Sequence, residues 1–174
     1  KEKVEEKLEL FKGVKTLIYN KDYATIHESI SNFSFTEKEI RIFTCSRKSR
    51  ADLQVGRVTK SNEDTEIQAV YQNEFISITI PFTDDASIEN AIHCWSLMLV
   101  MGFDQEVIVE RMHMLSPVAM RLEMKTGINN CSVINDSYNS DIGSLTIALD
   151  FLNQQKQHDT KTLILSDILQ SGKN

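Results

Sequence analysis

Two neighbouring runs of alternating apolar and polar residues constrain the fold of this chain most strongly. EIQAVYQ (66–72) and FISITI (75–80) each place every second side chain on one face of a strand, and only Asn73-Glu74 separates them. Because so short a connection can join only antiparallel neighbours, this segment predicts a β-hairpin. DLQVGRVTK (52–60) alternates in the same way and predicts a third strand beside it.

The residues before the hairpin predict a parallel arrangement. TLIYN (16–20) and EIRIFTCS (39–46) have the composition of strands, and KDYATIHESI (21–30) between them has a helical pattern. This strand–helix–strand order is typical of an α/β unit. A first helix is predicted over 1–12. One face of that helix carries three apolar residues and a lysine: Val4, Lys7, Leu8 and Phe11.

A domain boundary is predicted after two further helices, at 87–101 and 105–114. Ser116-Pro117 interrupts the helical pattern, because proline disfavours helical backbone in the residue before it. We therefore expect one domain over 1–115 and a second over 116–174.

The second domain is predicted to contain a single βαβ unit. Its parts are a strand at 131–135, a helix at 141–155 and a strand at 161–167. A doubly wound domain needs more strands, so we expect this domain to be incomplete. Exposed edges of such a sheet could pair copies of the chain, which predicts self-association.

Charge and composition exclude several classes of partner. The formal net charge of −6 argues against binding to nucleic-acid phosphates, and the basic cluster Arg47, Lys48 and Arg50 is typical of a solvated loop. The 3 cysteines and 4 histidines have neither disulfide nor metal-ligand spacing. No apolar stretch is long enough to span a bilayer. These features predict a cytoplasmic protein with no nucleic-acid or membrane partner.

Three residues have both a structural and a functional interpretation. Asp136 follows a predicted strand, where its carboxylate could bind ribose hydroxyls; alternatively, Asp136 or Ser140 could cap the helix that starts near Asp141. Arg121 could reach ribose or phosphate oxygens, or pair with Glu123 on the surface. Lys7 could snorkel, or, if partly desolvated, react with carbon dioxide to give a carbamate ligand for Mg²⁺. Residue chemistry alone leaves these alternatives open.

Several segments, in order along the chain, resemble the Mur ligase family. SPVAMRLEMKTGINNCSVINDSYNSDIGSLTIALDFL (116–152) is similar to the family's linker arginine, its strand ending in Asp-Asp-Ser-Tyr-Asn and the helix that follows. LILSDILQSG (163–172) is similar to the next strand and turn. EKLELF (6–11) resembles the helix that carries a carbamylated lysine, and ASIENAI (86–92) resembles a His-Asn-x-x-Asn-Ala segment. The Asp-Ser-Tyr-Asn element is the most specific of these.

The resemblance implies an α/β fold in two parts. Residues 1–115 would be the C-terminal part of a P-loop-type central ATPase domain, with parallel strands, a hairpin and helices. Residues 116–174 would be a linker and the truncated start of a Rossmann-like C-terminal domain. It also implies site residues: Lys7 as the carbamylated, magnesium-bridging lysine, Asn90 at adenine, Arg121 and Asp136 at the ATP ribose, and Tyr138 and Asn139 closing over the nucleotide.

The chain also departs from the family pattern. Ala86 and Ser87 stand in place of the His-Asn pair, and Asn135 stands in place of the first Asp. Met120 replaces the glycine before the linker arginine, and 140–142 replace Ala-Asn-Pro. These departures are similar to those in the form of the enzyme that is fused to an alanine racemase. Such a fusion would bring pyridoxal phosphate as a further cofactor.

The activity implied is ATP- and Mg²⁺-dependent amide formation between UDP-N-acetylmuramoyl-tripeptide and D-alanyl-D-alanine through an acyl phosphate. Neither GxxxxGK[ST] nor GxGxxG occurs among the 6 glycines, so the phosphate loop is missing from these residues. We therefore expect the 174 residues alone to be inactive. Two alternatives stay open: a folylpolyglutamate synthase, which Asp-Ser-Tyr-Asn disfavours, and a non-catalytic scaffold or nucleotide-binding domain.

Overall fold

The computed structural model of the chain describes residues 2–33, 35, 40–116, 121–138 and 142–166. The chain divides into two compact units, Lys1–Leu115 and Ser116–Asn174.

The first unit is built on a mixed five-stranded sheet with the strand order β1-β2-β3-β4-β5. β1, β2 and β3 are parallel neighbours, and β3, β4 and β5 are antiparallel neighbours. This sheet confirms the predicted combination of a parallel α/β part with a hairpin. The strands are β1 (Thr16–Asn20), β2 (Arg41–Ser46), β3 (Leu53–Lys60), β4 (Thr65–Tyr71) and β5 (Glu74–Ile80).

The hairpin between β4 and β5 turns on Gln72 and Asn73. Both residues have left-handed backbone, with φ of 50° and 67°. Two consecutive left-handed residues match the right-handed twist of the flanking strands, which is why such turns dominate two-residue hairpins. The turn was predicted at Asn73-Glu74, which is one residue too late, because Glu74 is the first residue of β5.

Two layers of helix cover the sheet. In β1, Leu17 and Tyr19 join the core cluster formed with α1 and α2, whereas Ile18 packs against the cluster formed with α3 and α4. Because successive side chains of a strand point to opposite faces, the two helix pairs lie on opposite sides of the sheet. The helices are α1 (Glu2–Glu9), α2 (Ala24–Asn32), α3 (Asp85–Val100) and α4 (Gln105–His113).

The N-termini of α3 and α4 offer a matched test of capping. Asp84 Oδ1 accepts a hydrogen bond from the backbone N–H of Ser87 at 2.7 Å, whereas Asp104 makes no side-chain capping bond. We expect D84A to lower the free energy of unfolding by about 1 kcal/mol and D104A to lower it by less. Urea unfolding of the two variants measures the difference, and equal losses would contradict it.

The second unit contains a small antiparallel sheet followed by a helix. β6 (Glu123–Thr126) pairs with β7 (Ser132–Asn135) across a short 3₁₀ turn (Ile128–Asn130), and α5 spans Ile142–Gln154. The positions of β7 and α5 confirm the predicted strand and helix. β6 was not predicted.

The predicted strand at 161–167 is wrong for residues 161–166, which lie outside any strand, and residue 167 lies outside the described residues. Ile164, in the middle of this apolar run, is 95% exposed. An apolar run forms a strand only where a neighbour accepts its backbone hydrogen bonds and a core covers its side chains. Within the described part of the second unit, 161–166 have neither, so the predicted βαβ unit is not formed there.

None of the helices within the described ranges has the length and hydrophobicity needed to cross a bilayer.

Candidate nucleotide-binding residues

Three of the predicted site residues lie together in the second unit. The guanidinium carbon of Arg121 lies 4.7 Å from the ring centroid of Tyr138, a cation–π contact. Asp136 Oδ1 accepts a hydrogen bond from the backbone N–H of Leu122 at 3.1 Å. The linker arginine and the Asp-Ser-Tyr segment therefore form one small cluster.

The register of the small sheet explains this convergence. Glu123 pairs with Asn135 at the last position of the β6–β7 ladder. The residues just before Glu123 and just after Asn135 must therefore emerge at the same end of the sheet. Leu122 and Asp136 are those residues, and Arg121 directly precedes Leu122, although 15 positions separate Arg121 from Asp136 in the chain.

Leu122 has an unusual backbone conformation that serves this cluster. Its φ is +47°, in the left-handed region that a bulky side chain rarely adopts. In this conformation its N–H points at Asp136. Residues held in sparsely populated regions concentrate at functional sites, because the surrounding contacts must sustain the strain.

The alternative role of Asp136, as the cap of the following helix, is excluded by distance along the chain. A capping side chain bonds the N–H of the second or third helical residue. α5 begins at Ile142, six residues after Asp136. Asp136 is half-buried and is held instead by the linker backbone. Its carboxylate, the guanidinium and the aromatic ring together suit a ligand that combines hydroxyls with a flat ring.

Asn90 lies in the first unit, in the second turn of α3, with an exposed side chain. Its neighbour Glu89 is half-buried and accepts hydrogen bonds from Tyr23 and Asn20, which stand at the carboxyl end of β1. Ligands of open α/β sheets bind beyond the carboxyl ends of the parallel strands. Asn90 therefore follows a residue that is bonded to the carboxyl end of β1.

The same end holds a polar network that the sequence did not predict. Asp22 Oδ1 accepts from Ser46 Oγ, and its other oxygen accepts from the backbone N–H of Arg47 at 2.8 Å. Burial opposes ionisation of Asp22, but these hydrogen bonds and the charge of Lys48 outweigh it and lower the pKa of the carboxyl below its usual value. The network fixes the loop after β2, and the residues involved lie too far apart in the chain to give a sequence signal.

Lys7 is exposed, and its predicted place on the buried face of the first helix is wrong. Leu8 is 4% exposed and faces the core cluster, with Val4 and Phe11 packed against it. Lys7 precedes Leu8 by one position, about 100° around the helix. The buried stripe of α1 is narrow, so the ammonium reaches solvent at its rim.

Asn139 lies outside the described residues, and its role stays a prediction. No three His, Cys, Asp or Glu side chains come together as a metal site in the part of the chain that the structure describes. A magnesium site cannot be assembled from those residues alone.

The chain is similar in sequence to curated UDP-N-acetylmuramoyl-tripeptide–D-alanyl-D-alanine ligases. It is 26% identical over 171 residues to the ligase of Buchnera aphidicola subsp. Baizongia pistaciae, which covers 97% of this chain and 36% of that relative. It is 28% identical over 155 residues to the ligase of Rickettsia prowazekii, covering 89% and 33%. The chain thus spans about a third of the length of these relatives. No family model matches it.

Solved structures share the fold. MurF from Acinetobacter baumannii matches with a TM-score of 0.63 and 19% identity, over 80% of this chain and 29% of that one. The MurF ligase of Thermotoga maritima, in complex with ADP, matches with a TM-score of 0.60 and 9% identity, over 79% and 30%. At these identities the likeness establishes a common fold.

Proposed function

We propose that this chain, which belongs to the Mur ligase family, forms part of an ATP-dependent ligase that joins D-alanyl-D-alanine to UDP-N-acetylmuramoyl-tripeptide in peptidoglycan precursor synthesis. The relatives that carry this name align with 89–97% of the chain. The observation that carries the proposal is the convergence of Arg121, Asp136 and Tyr138 at one end of the small sheet.

Each residue of this cluster has a proposed role toward ATP. The carboxylate of Asp136 accepts hydrogen bonds from the vicinal ribose hydroxyls, a charge-assisted arrangement. Arg121 donates to ribose or phosphate oxygens, and its contact with Tyr138 holds the guanidinium plane in place. In the first unit, Asn90 contacts the nucleobase, and its amide can both donate and accept.

ATP would activate the carboxylate of the tripeptide as an acyl phosphate, which the amine of D-alanyl-D-alanine then attacks. The contribution of these residues is to position the nucleotide so that its terminal phosphate meets that carboxylate. Magnesium, when bound, would neutralise phosphate charge. The described residues form no metal site of their own, so Lys7 would need ligands from other parts of the ligase.

The proposal is tested by the affinity of the full-length protein for ADP. We expect D136A to weaken ADP binding by about ten- to a hundredfold, because hydrogen bonds to a charged group contribute about 1.5–3 kcal/mol. The control is D150A, which removes an exposed carboxylate from α5. Isothermal titration calorimetry of both variants measures their affinity for ADP. An ADP affinity that D136A leaves at the control's value would refute the ribose role.

A further inference from the structure

A single carboxylate joins three elements at the carboxyl end of β1. Glu89 Oε2 accepts a hydrogen bond from the hydroxyl of Tyr23 at 2.7 Å, and Oε1 accepts from Asn20 Nδ2 at 3.3 Å. Asn20 is the last residue of β1, Tyr23 immediately precedes α2, and Glu89 belongs to α3. The second turn of α3 is therefore held to the sheet through both oxygens of one side chain.

The two hydrogen bonds of Glu89 fix the rotation of α3 about its axis next to Asn90. Ile88, Ala91 and Ile92 are buried against the sheet, so Asn90 projects from the opposite side of the helix. Glu89 lies between these two directions. A rotation or slide of the helix that moved Asn90 would also break the bonds of Glu89, which are strong because the acceptor is charged.

The two donors are themselves held in place. Asn20 Oδ1 accepts from the backbone N–H of Asp22 at 2.9 Å, which leaves Nδ2 directed at Glu89. The hydrogen bond to Glu89, together with burial, raises the pKa of Tyr23 above its usual value. The phenol therefore keeps its donor proton throughout the neutral pH range.

We propose that Tyr23 and Asn20 are positioning residues that act through Glu89 to hold Asn90 in register with the adenine base. The proposal rests on the nucleobase role given to Asn90 in the proposed function. A single amide discriminates a base only when it is held within a few tenths of an ångström, which a helix turn achieves when its neighbours are locked.

The test is a tyrosine-to-phenylalanine pair in the full-length protein. We expect Y23F to weaken ADP binding about five- to tenfold and to raise the KM for ATP while leaving kcat nearly unchanged. The matched control is Y71F, because among the described residues the Tyr71 hydroxyl accepts just a surface hydrogen bond from Gln72 Nε2 at 3.0 Å. A Y23F protein that binds ADP as Y71F does would overturn the proposal. Thermal melts of both variants separate loss of folding from loss of positioning.

A double-mutant cycle with N90A then separates this inference from the proposed function. If Tyr23 acts through Asn90, Y23F will have little further effect on ADP affinity once Asn90 is replaced. Independent, additive losses would overturn the positioning role while leaving Asn90 as a nucleobase contact. An N90A protein with unchanged ADP affinity would instead refute the nucleobase role and, with it, the inference. E89Q, which keeps one oxygen acceptor, is expected to bind ADP more tightly than E89A.

Discussion

Replacing Lys7 by arginine in the full-length protein is expected to lower the rate of ligation by at least about a hundredfold. The proposed role of Lys7 is to react with carbon dioxide as a neutral amine and so to become a carbamate that binds magnesium. A guanidinium keeps the positive charge and the length of the side chain, but it stays protonated and cannot form a carbamate. K7R therefore removes the carbamate chemistry while it keeps the positive charge of the unreacted lysine.

The control is K12R, on the turn that follows the same helix. Lys12 Nζ pairs with Glu9 at 2.6 Å in a surface ion pair, and arginine can replace it there. Buffers freed of carbon dioxide add a second readout. We expect the protein with the natural Lys7 to lose activity in these buffers and to recover it when bicarbonate is added. The activity of K7R should change in neither condition. Equal rates for K7R and K12R would rule out the carbamate.

The largest expected effect on stability is at Trp95. This residue of α3 is 0% exposed and belongs to the core cluster that joins the sheet to α4. Truncation to alanine removes a large buried surface and leaves a cavity, because the neighbouring strands can collapse only in part. We expect W95A to lower the free energy of unfolding by about 3–5 kcal/mol. That is a large share of the roughly 5–15 kcal/mol that stabilises an ordinary domain.

A feature of the indole sharpens this prediction. Trp95 Nε1 is buried and has no hydrogen-bond partner among the described residues. Phenylalanine at this position would fill part of the volume and remove the uncompensated donor, so we expect W95F to cost about half as much as W95A. The control is L97A on the same helix, where the side chain is 49% exposed. Urea unfolding followed by circular dichroism compares the three, and W95A must be clearly the least stable for the packing argument to hold.

The elements that sequence predicted well are those whose pattern is local. β1 was predicted to the residue, because TLIYN is an apolar run bounded by polar residues. The hairpin and α3 were confirmed within one or two residues for the same reason. β6 was missed because Glu-Met-Lys-Thr has no alternation, and its pairing depends on left-handed backbone at Asn129 and Asn130. An apolar run becomes a strand only where a neighbouring strand pairs with it. The strand predicted at 161–166 was wrong because the sequence does not show whether such a partner is present.

For the candidate site too, the sequence predicted some residues and missed the contacts between them. Asp136, Arg121 and Tyr138 could be named from motif order, but only the β6–β7 register shows that they meet. The bond between Tyr23 and Glu89 joins residues 66 positions apart. No periodicity or motif marks such a pair, because the contact exists only after β1 and α3 have packed together.

The burial of Trp95 has a spectroscopic consequence. The chain contains 1 tryptophan, and it lies in the first of the two units. Indole emission therefore reports the loss of packing around α3 and is silent about the second unit, which carries α5 and contributes only to the far-ultraviolet helical signal. Unfolding curves recorded by the two methods will coincide only if both units unfold together, so their separation measures how independently the two units unfold.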